Sequence, residues 1–119
     1  MSIKVFKLED IEVYRESLIL AKETFDLCKN PLLKREYSLC DQIKRACVSV
    51  CANIAEGYGR RTSRDFSQFL SIALGSANET IALLDIIKVN FINIDIEDIR
   101  SRYNVLGKRI YAFRKKLLN

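Results

Sequence analysis

Apolar positions recur at three- and four-residue steps in four successive stretches, the spacing that lines them along one face of an α-helix. The first stretch aligns Leu8, Ile11, Tyr14, Leu18, Ala21, Phe25 and Cys28. Asn30-Pro31 ends it, because proline cannot continue a helix and disfavours helical geometry in the residue before it. The second carries Leu39, Ile43, Ala46, Cys47, Val50 and Ile54, and stops at Gly57-Tyr58-Gly59. The third opens at Thr62-Ser63-Arg64-Asp65, where Thr62 or Ser63 caps the first free amides. Its face runs Phe66, Phe69, Leu70, Ala73, Ala77, Ile81, Leu84 and Ile87. Asn93 and Asp95 break the pattern and offer caps for the fourth, which repeats Ile96, Ile99, Tyr103, Leu106, Ile110, Phe113 and Leu117. The last two helices reach ~27 and ~23 residues by this spacing. Four amphipathic helices on short loops predict an all-α fold, an antiparallel up-down-up-down four-helix bundle forming one domain over residues 1–119.

Composition changes this picture little. The chain is 49% hydrophobic and 29% charged, a balance that folds without a metal or disulfide staple. No uninterrupted apolar run approaches the ~20 residues of a membrane span, and Met1-Ser2-Ile3-Lys4 lacks the apolar stretch of a secretory signal. A soluble, cytoplasmic protein without a membrane partner is the expectation. Cys40, Cys47 and Cys51 share one helix face, but Cys40 and Cys51 lie ~16 Å apart at the helical rise, too far to hold one metal. With no histidine in the chain, no metal or cofactor is expected, and the thiols, Cys28 among them, read as small core hydrophobes.

Three polar features stand out. Gln42, Arg45, Ser49, Asn53 and Glu56 form a second stripe on helix two, either a solvated face or a polar seam against a neighbouring helix or subunit. In the seam, Arg45 would pair with Glu79 or Glu56. Gly75 sits mid-helix, where glycine costs about 1 kcal/mol against alanine, so it points to another backbone close by. Gly107 raises the same question. The basic residues gather in two places. Arg100, Arg102, Lys108, Arg109, Arg114, Lys115 and Lys116 fall in a stretch, Arg100 to Asn119, that has no acidic residue. Arg60, Arg61 and Arg64 straddle the turn before helix three, where free amides add to their pull on a phosphate. With a net charge of +5, these clusters predict either nucleic-acid binding by counterion release or a solvated surface. No histidine, no GxxxxGK[ST] loop and no GxSxG elbow are present, so no enzyme and no catalytic residue is expected.

The run from Gln42 to Arg60 resembles a known family, the four-helix bundle proteins encoded within intervening sequences of bacterial 23S rRNA genes. Its core reads approximately Q-x-R-R-A-x-x-S-I-x-x-N-I-A-E-G, then G-R and D-F-x-x-F-L-x-I-A-x-G-S-x-x-E. Gln42, Arg45, Ala46, Ser49, Asn53, Ile54, Ala55, Glu56, Gly57, Gly59 and Arg60 match. Asp65, Phe66, Phe69, Leu70, Ile72, Ala73, Gly75, Ser76 and Glu79 continue the match, which covers most of the chain. Cys51 stands where relatives often have proline, and Lys44 replaces an arginine. The resemblance implies a homo-oligomer, a pentamer in the family's expected form, and links the fold to bundles that bind nucleic acid and a reverse transcriptase. It assigns Arg45, Ser49, Asn53 and Glu56 to the seam, Gly57 and Gly59 to the turn, and Gly75 to the close contact.

Two expectations of function follow. One is an oligomeric binder of RNA, or of DNA, acting through Arg60, Arg61, Arg64, Arg102, Lys108, Arg109, Lys115 and Lys116. The other is a scaffold or adaptor for a protein such as a reverse-transcriptase-type enzyme, with Gln42, Arg45, Ser49, Asn53, Glu56, Gly57, Gly59, Gly75 and Glu79 as interface.

Overall fold

The computed structural model describes residues 6–119, so the reading of Met1-Ser2-Ile3-Lys4 lies outside the described residues. A short 3-10 turn, Leu8–Asp10, leads into α1 (Glu12–Leu27), followed by α2 (Tyr37–Tyr58), α3 (Ser63–Asn90) and α4 (Glu97–Leu118). Cross-helix pairs fix the topology. Ser49 meets Ser76, Asp85 meets Arg100, and Glu23 meets Arg102, while nearer the other end Gly57 faces Phe66 and Phe66 faces Phe113. Rising numbers on one helix therefore meet falling numbers on the next, which makes neighbouring helices antiparallel. The result is a bundle 49 Å long and 19 Å across.

Of the caps read from the sequence, Thr62 is in place on α3; α4 has Ile96 at its N-cap position with no side-chain cap bond, and Asp95, one residue earlier, closes a turn instead. Thr62 Oγ1 accepts from the Asp65 amide at 3.1 Å, and Asp95 Oδ1 accepts from the Glu97 amide at 3.0 Å. Asn30 Oδ1 takes the Leu32 amide at 2.9 Å in the turn after α1. The core stripes of α2, α3 and α4 are as expected, with Ile43, Val50, Ile54, Phe66, Leu70, Leu84, Leu106 and Ile110 fully buried. By length and composition alone, α3 would also suffice to cross a membrane, its most apolar stretch averaging a hydropathy of 1.4. Uninterrupted runs do not reveal this. Packed against both α2 and α4, the helix is apolar over a wide arc, with single polar residues interspersed.

Helix one differs from the expectation. Leu18 and Phe25 are exposed, and the buried stripe is Val13, Ser17, Leu20 and Thr24. The two hydroxyls are tolerated because the helix backbone satisfies them: Ser17 donates to the Tyr14 carbonyl at 2.6 Å and Thr24 to the Leu20 carbonyl at 2.7 Å. Thr24 also meets the buried Tyr103 hydroxyl at 2.7 Å, tying α1 to α4. Phe25 is covered in part by the Lys44 ammonium, 5.3 Å from its ring centre. The cysteines are unpaired, and burial pushes the Cys28 thiol up to about 12 and the Cys47 thiol up to about 11. Protonated thiols of this kind pack as small apolar groups.

Candidate nucleic-acid interface

The glycines change roles. Gly57 and Gly59 have ordinary negative φ, like every described residue, so neither supplies a left-handed turn. Gly57 lies inside α2, and a Cβ there would sit 2.7 Å from Phe66 Cδ1 and 2.9 Å from Phe69 Cβ. It is therefore Gly57 that lets α2 and α3 approach. Gly75, expected to be that contact, has nothing within 4 Å of a would-be Cβ and faces open space.

The polar stripe of α2 divides in two. Ser49 and Asn53 are half-buried and form the seam with α3: Ser49 Oγ lies 2.7 Å from Ser76 Oγ, and Asn53 donates to the Ser49 carbonyl and hydroxyl at 2.8 and 3.0 Å. Gln42, Arg45 and Glu56 are exposed. Arg45 pairs with Asp41 one turn earlier at 3.0 Å, instead of with Glu79 or Glu56. The reason is register: Asp41 is the i−4 neighbour on the same helix. Glu56 in turn pairs with Arg60 at 3.0 Å. Gln42, Arg45, Glu56, Gly75 and Glu79 thus lie on the outward surface of α2 and α3.

The antiparallel topology unites the two basic clusters. Phe113 packs edge-on against Phe66 with ring centres 5.6 Å apart, and Arg114 Nε donates to the Ser67 carbonyl at 3.1 Å. These contacts dock the end of α4 on the start of α3. Arg60, Arg61 and Arg64 therefore share one end of the bundle with Lys115 and Lys116. Arg60 is held over the Phe69 ring at 4.6 Å. Arg61, Arg64, Lys108, Lys115 and Lys116 are exposed and have no carboxylate partner among the described residues. The amide of Asp65 is already occupied by Thr62, and the Asp65 carboxylate sits in the first turn of α3. Attraction for an anion at this end thus comes from the arginines and lysines rather than from the helix terminus.

The other two candidates on α4 are already neutralised. Arg102 grips Glu23 with two contacts of 2.6 Å and also reaches Asp98 at 3.3 Å. Arg109 pairs with Glu16 and, at 3.3 Å, with Glu12. Arg100 holds Asp85 in the same two-pronged way, and its guanidinium keeps the Asp85 carboxyl below the usual range. These three arginines tie α4 to α1 and α3. No group of three His, Cys, Asp or Glu able to hold a metal occurs among the described residues.

Residues 9–112 match the family model of the 23S rRNA-intervening sequence protein. The chain belongs to that family. A crystal structure from Bacteroides thetaiotaomicron, of a protein with unknown function from the S23 ribosomal protein family, superposes with a TM-score of 0.78 at 27% identity. It covers 87% of this chain and 98% of its own. Comparison with curated proteins gives no match. The matched span takes in α2 and α3 whole, and with them the Gly57 contact, the Ser49–Ser76 seam and the open surface around Gly75.

Proposed function

We propose that this protein is a non-enzymatic, homo-oligomeric bundle of the cytoplasm that binds nucleic acid, RNA before DNA, through its basic end. The observation that carries the reading is the meeting of Arg61 and Arg64 with Lys115 and Lys116 at one end, each without an ion-pair partner among the described residues. Lys108 extends the surface along α4. The family's name ties it to an rRNA gene, and a basic surface of this kind attracts phosphates without reading bases. Self-association, as the pentamer the family resemblance leads one to expect, would use the outward α2–α3 face, where Gly75 leaves room for another chain. Fluorescence anisotropy against a structured RNA at several salt concentrations tests the binding. Affinity should fall steeply as salt rises; absence of binding at low salt refutes the reading.

A second reading, a scaffold for a protein partner such as a polymerase-type enzyme, is favoured by one feature. Tyr37, Val89 and Ile92 are 76%, 74% and 88% exposed, and they lie at the end opposite the basic cluster, beside a groove lined by Leu39, Leu83, Ile86 and Phe91 together with the polar Arg35, Glu36 and Gln42. A stoichiometric protein recovered in a nuclease-insensitive pull-down would support it.

A further inference from the structure

Between α3 and α4 runs a groove of about 260 Å³ lined by Leu74, Asn78, Asn104, Gly107, Lys108 and Tyr111. Its floor is apolar. Gly107 is buried, and a Cβ there would stand 3.3 Å from Leu74 Cδ1, so the missing side chain keeps the groove open. Its rim is polar. The amides of Asn78 and Asn104 are exposed, and neither has a hydrogen-bond partner among the described residues. Tyr111 is 56% exposed, a large aromatic outside the core stripe of α4.

We propose that this groove takes an unpaired base of a nucleic-acid strand, with Tyr111 as the stacking surface. The inference rests on the nucleic-acid reading and adds to it a preference for single strands. Asn104, Lys108, Tyr111 and Lys115 follow one another on α4 at steps of four, three and four, one continuous stripe ~16 Å long. An aromatic face between two lysines suits a base between two phosphates, the arrangement by which single strands are held without sequence preference. The two asparagine amides each offer donors and an acceptor to a base edge. A duplex hides its base faces, and a groove of this size admits one planar ring rather than a double helix. The charge sets the direction. From Arg100 onward α4 carries no acidic residue, whereas the exposed Glu79 follows Asn78 on the α3 wall. A strand seated here therefore leads away from Glu79, past Lys108 and Lys115, towards Arg64 and Lys116.

Anisotropy titrations with a labelled ten-nucleotide single strand and a duplex of equal length test the idea, with RNA and DNA versions run in parallel. Tyr111→Ala should weaken single-strand binding roughly five- to hundredfold, leave duplex binding unchanged, and leave the circular dichroism unchanged because the side chain is exposed. Tyr111→Phe should retain the affinity, and Tyr111→Leu, apolar but without a π-face, should lose it. Single-strand affinity unaffected by Tyr111→Ala, or lost equally for both ligands, overturns the stacking site while leaving the basic end in place. A Tyr111→Ala effect confined to self-association overturns it too. Failure of the unsubstituted protein to bind either ligand at low salt removes both readings together.

Discussion

Replacing Gly57 with alanine puts a methyl carbon 2.7 Å from Phe66 Cδ1, 2.9 Å from Phe69 Cβ and 3.2 Å from Phe66 Cε1. Neither phenylalanine can yield cheaply. Phe66 is fully buried and held edge-on by Phe113, and the Phe69 Cβ moves only with the α3 backbone. Relief therefore needs α2 and α3 to separate, which places the cost near the upper end of the ~1–3 kcal/mol typical of overpacking. Alanine recovers about 1 kcal/mol through its better helix propensity. The net expectation is a loss of about 2 kcal/mol, a fall in Tm of roughly 8 °C for a chain of this size. Gly75→Ala is the control. With nothing within 4 Å, it gains the propensity alone, and thermal unfolding at low concentration should shift up by roughly 4 °C. Thermal scans followed at 222 nm read both variants. A Gly57→Ala protein that melts at or above the unsubstituted one refutes the close-contact argument. A Gly75→Ala protein that loses stability only at high protein concentration identifies another chain's backbone at that position.

Other outcomes follow from the buried polar groups and the ion pairs. Thr24 gives its proton to the Leu20 carbonyl, so Tyr103 is the donor between them. Tyr103→Phe should therefore cost about 1 kcal/mol, and Thr24→Val, which strands a buried hydroxyl, up to about 3 kcal/mol, in urea unfolding. Burial raises the Cys28 thiol to about 12 and the Cys47 thiol to about 11, and raises the Tyr103 phenol as well. The unfolded chain releases these protons from about pH 9 and the folded chain keeps them, so stability is full below pH 9 and falls as pH rises through 11–12. A urea midpoint that stays flat from pH 8 to 11.5 would contradict this. Arg61→Ala and Arg64→Ala should each lower the salt slope of RNA binding by about 1, whereas Arg102→Ala and Arg109→Ala, whose charges are already balanced by Glu23, Glu12 and Glu16, should lower it less. Equal effects from all four would mean that these ion pairs open on binding.

Three of the four core stripes are legible because apolar residues dominate their buried positions, although α3 also buries Ser67, Ser76 and Thr80. Helix one is not, because Ser17 and Thr24 occupy core positions while Leu18 and Phe25 face outward. A hydroxyl bonded to its own helix backbone is compatible with burial, and no spacing rule separates it from a solvated one. The glycines carried the right message attached to the wrong address: a helical glycine implies a close neighbour or an open surface, and only the packing of α2 on α3 tells Gly57 from Gly75. The basic clusters were visible, but their union at one end depends on topology, and the silencing of Arg102 and Arg109 depends on the register of α4 against α1. Nothing in the apolar spacing marks Tyr111, since its neighbour Ile110 carries the repeat.

The magnitude of the salt effect joins the surface to the assembly. One chain offers four unpartnered cations at its basic end, Arg61, Arg64, Lys115 and Lys116. At about 0.7 released counterions per phosphate for a single strand, one chain gives a slope near −3 in log affinity against log salt. Four phosphate contacts supply only a modest electrostatic share of the affinity at physiological salt. Copies joined through the outward α2–α3 face would repeat the basic end, and a nucleic acid spanning two of them would double the slope to roughly −6 while gaining effective concentration for the second contact. The titration thus counts chains as well as testing binding: −3 means that a single chain acts alone, and multiples of it mean that assembly turns a modest patch into a working surface.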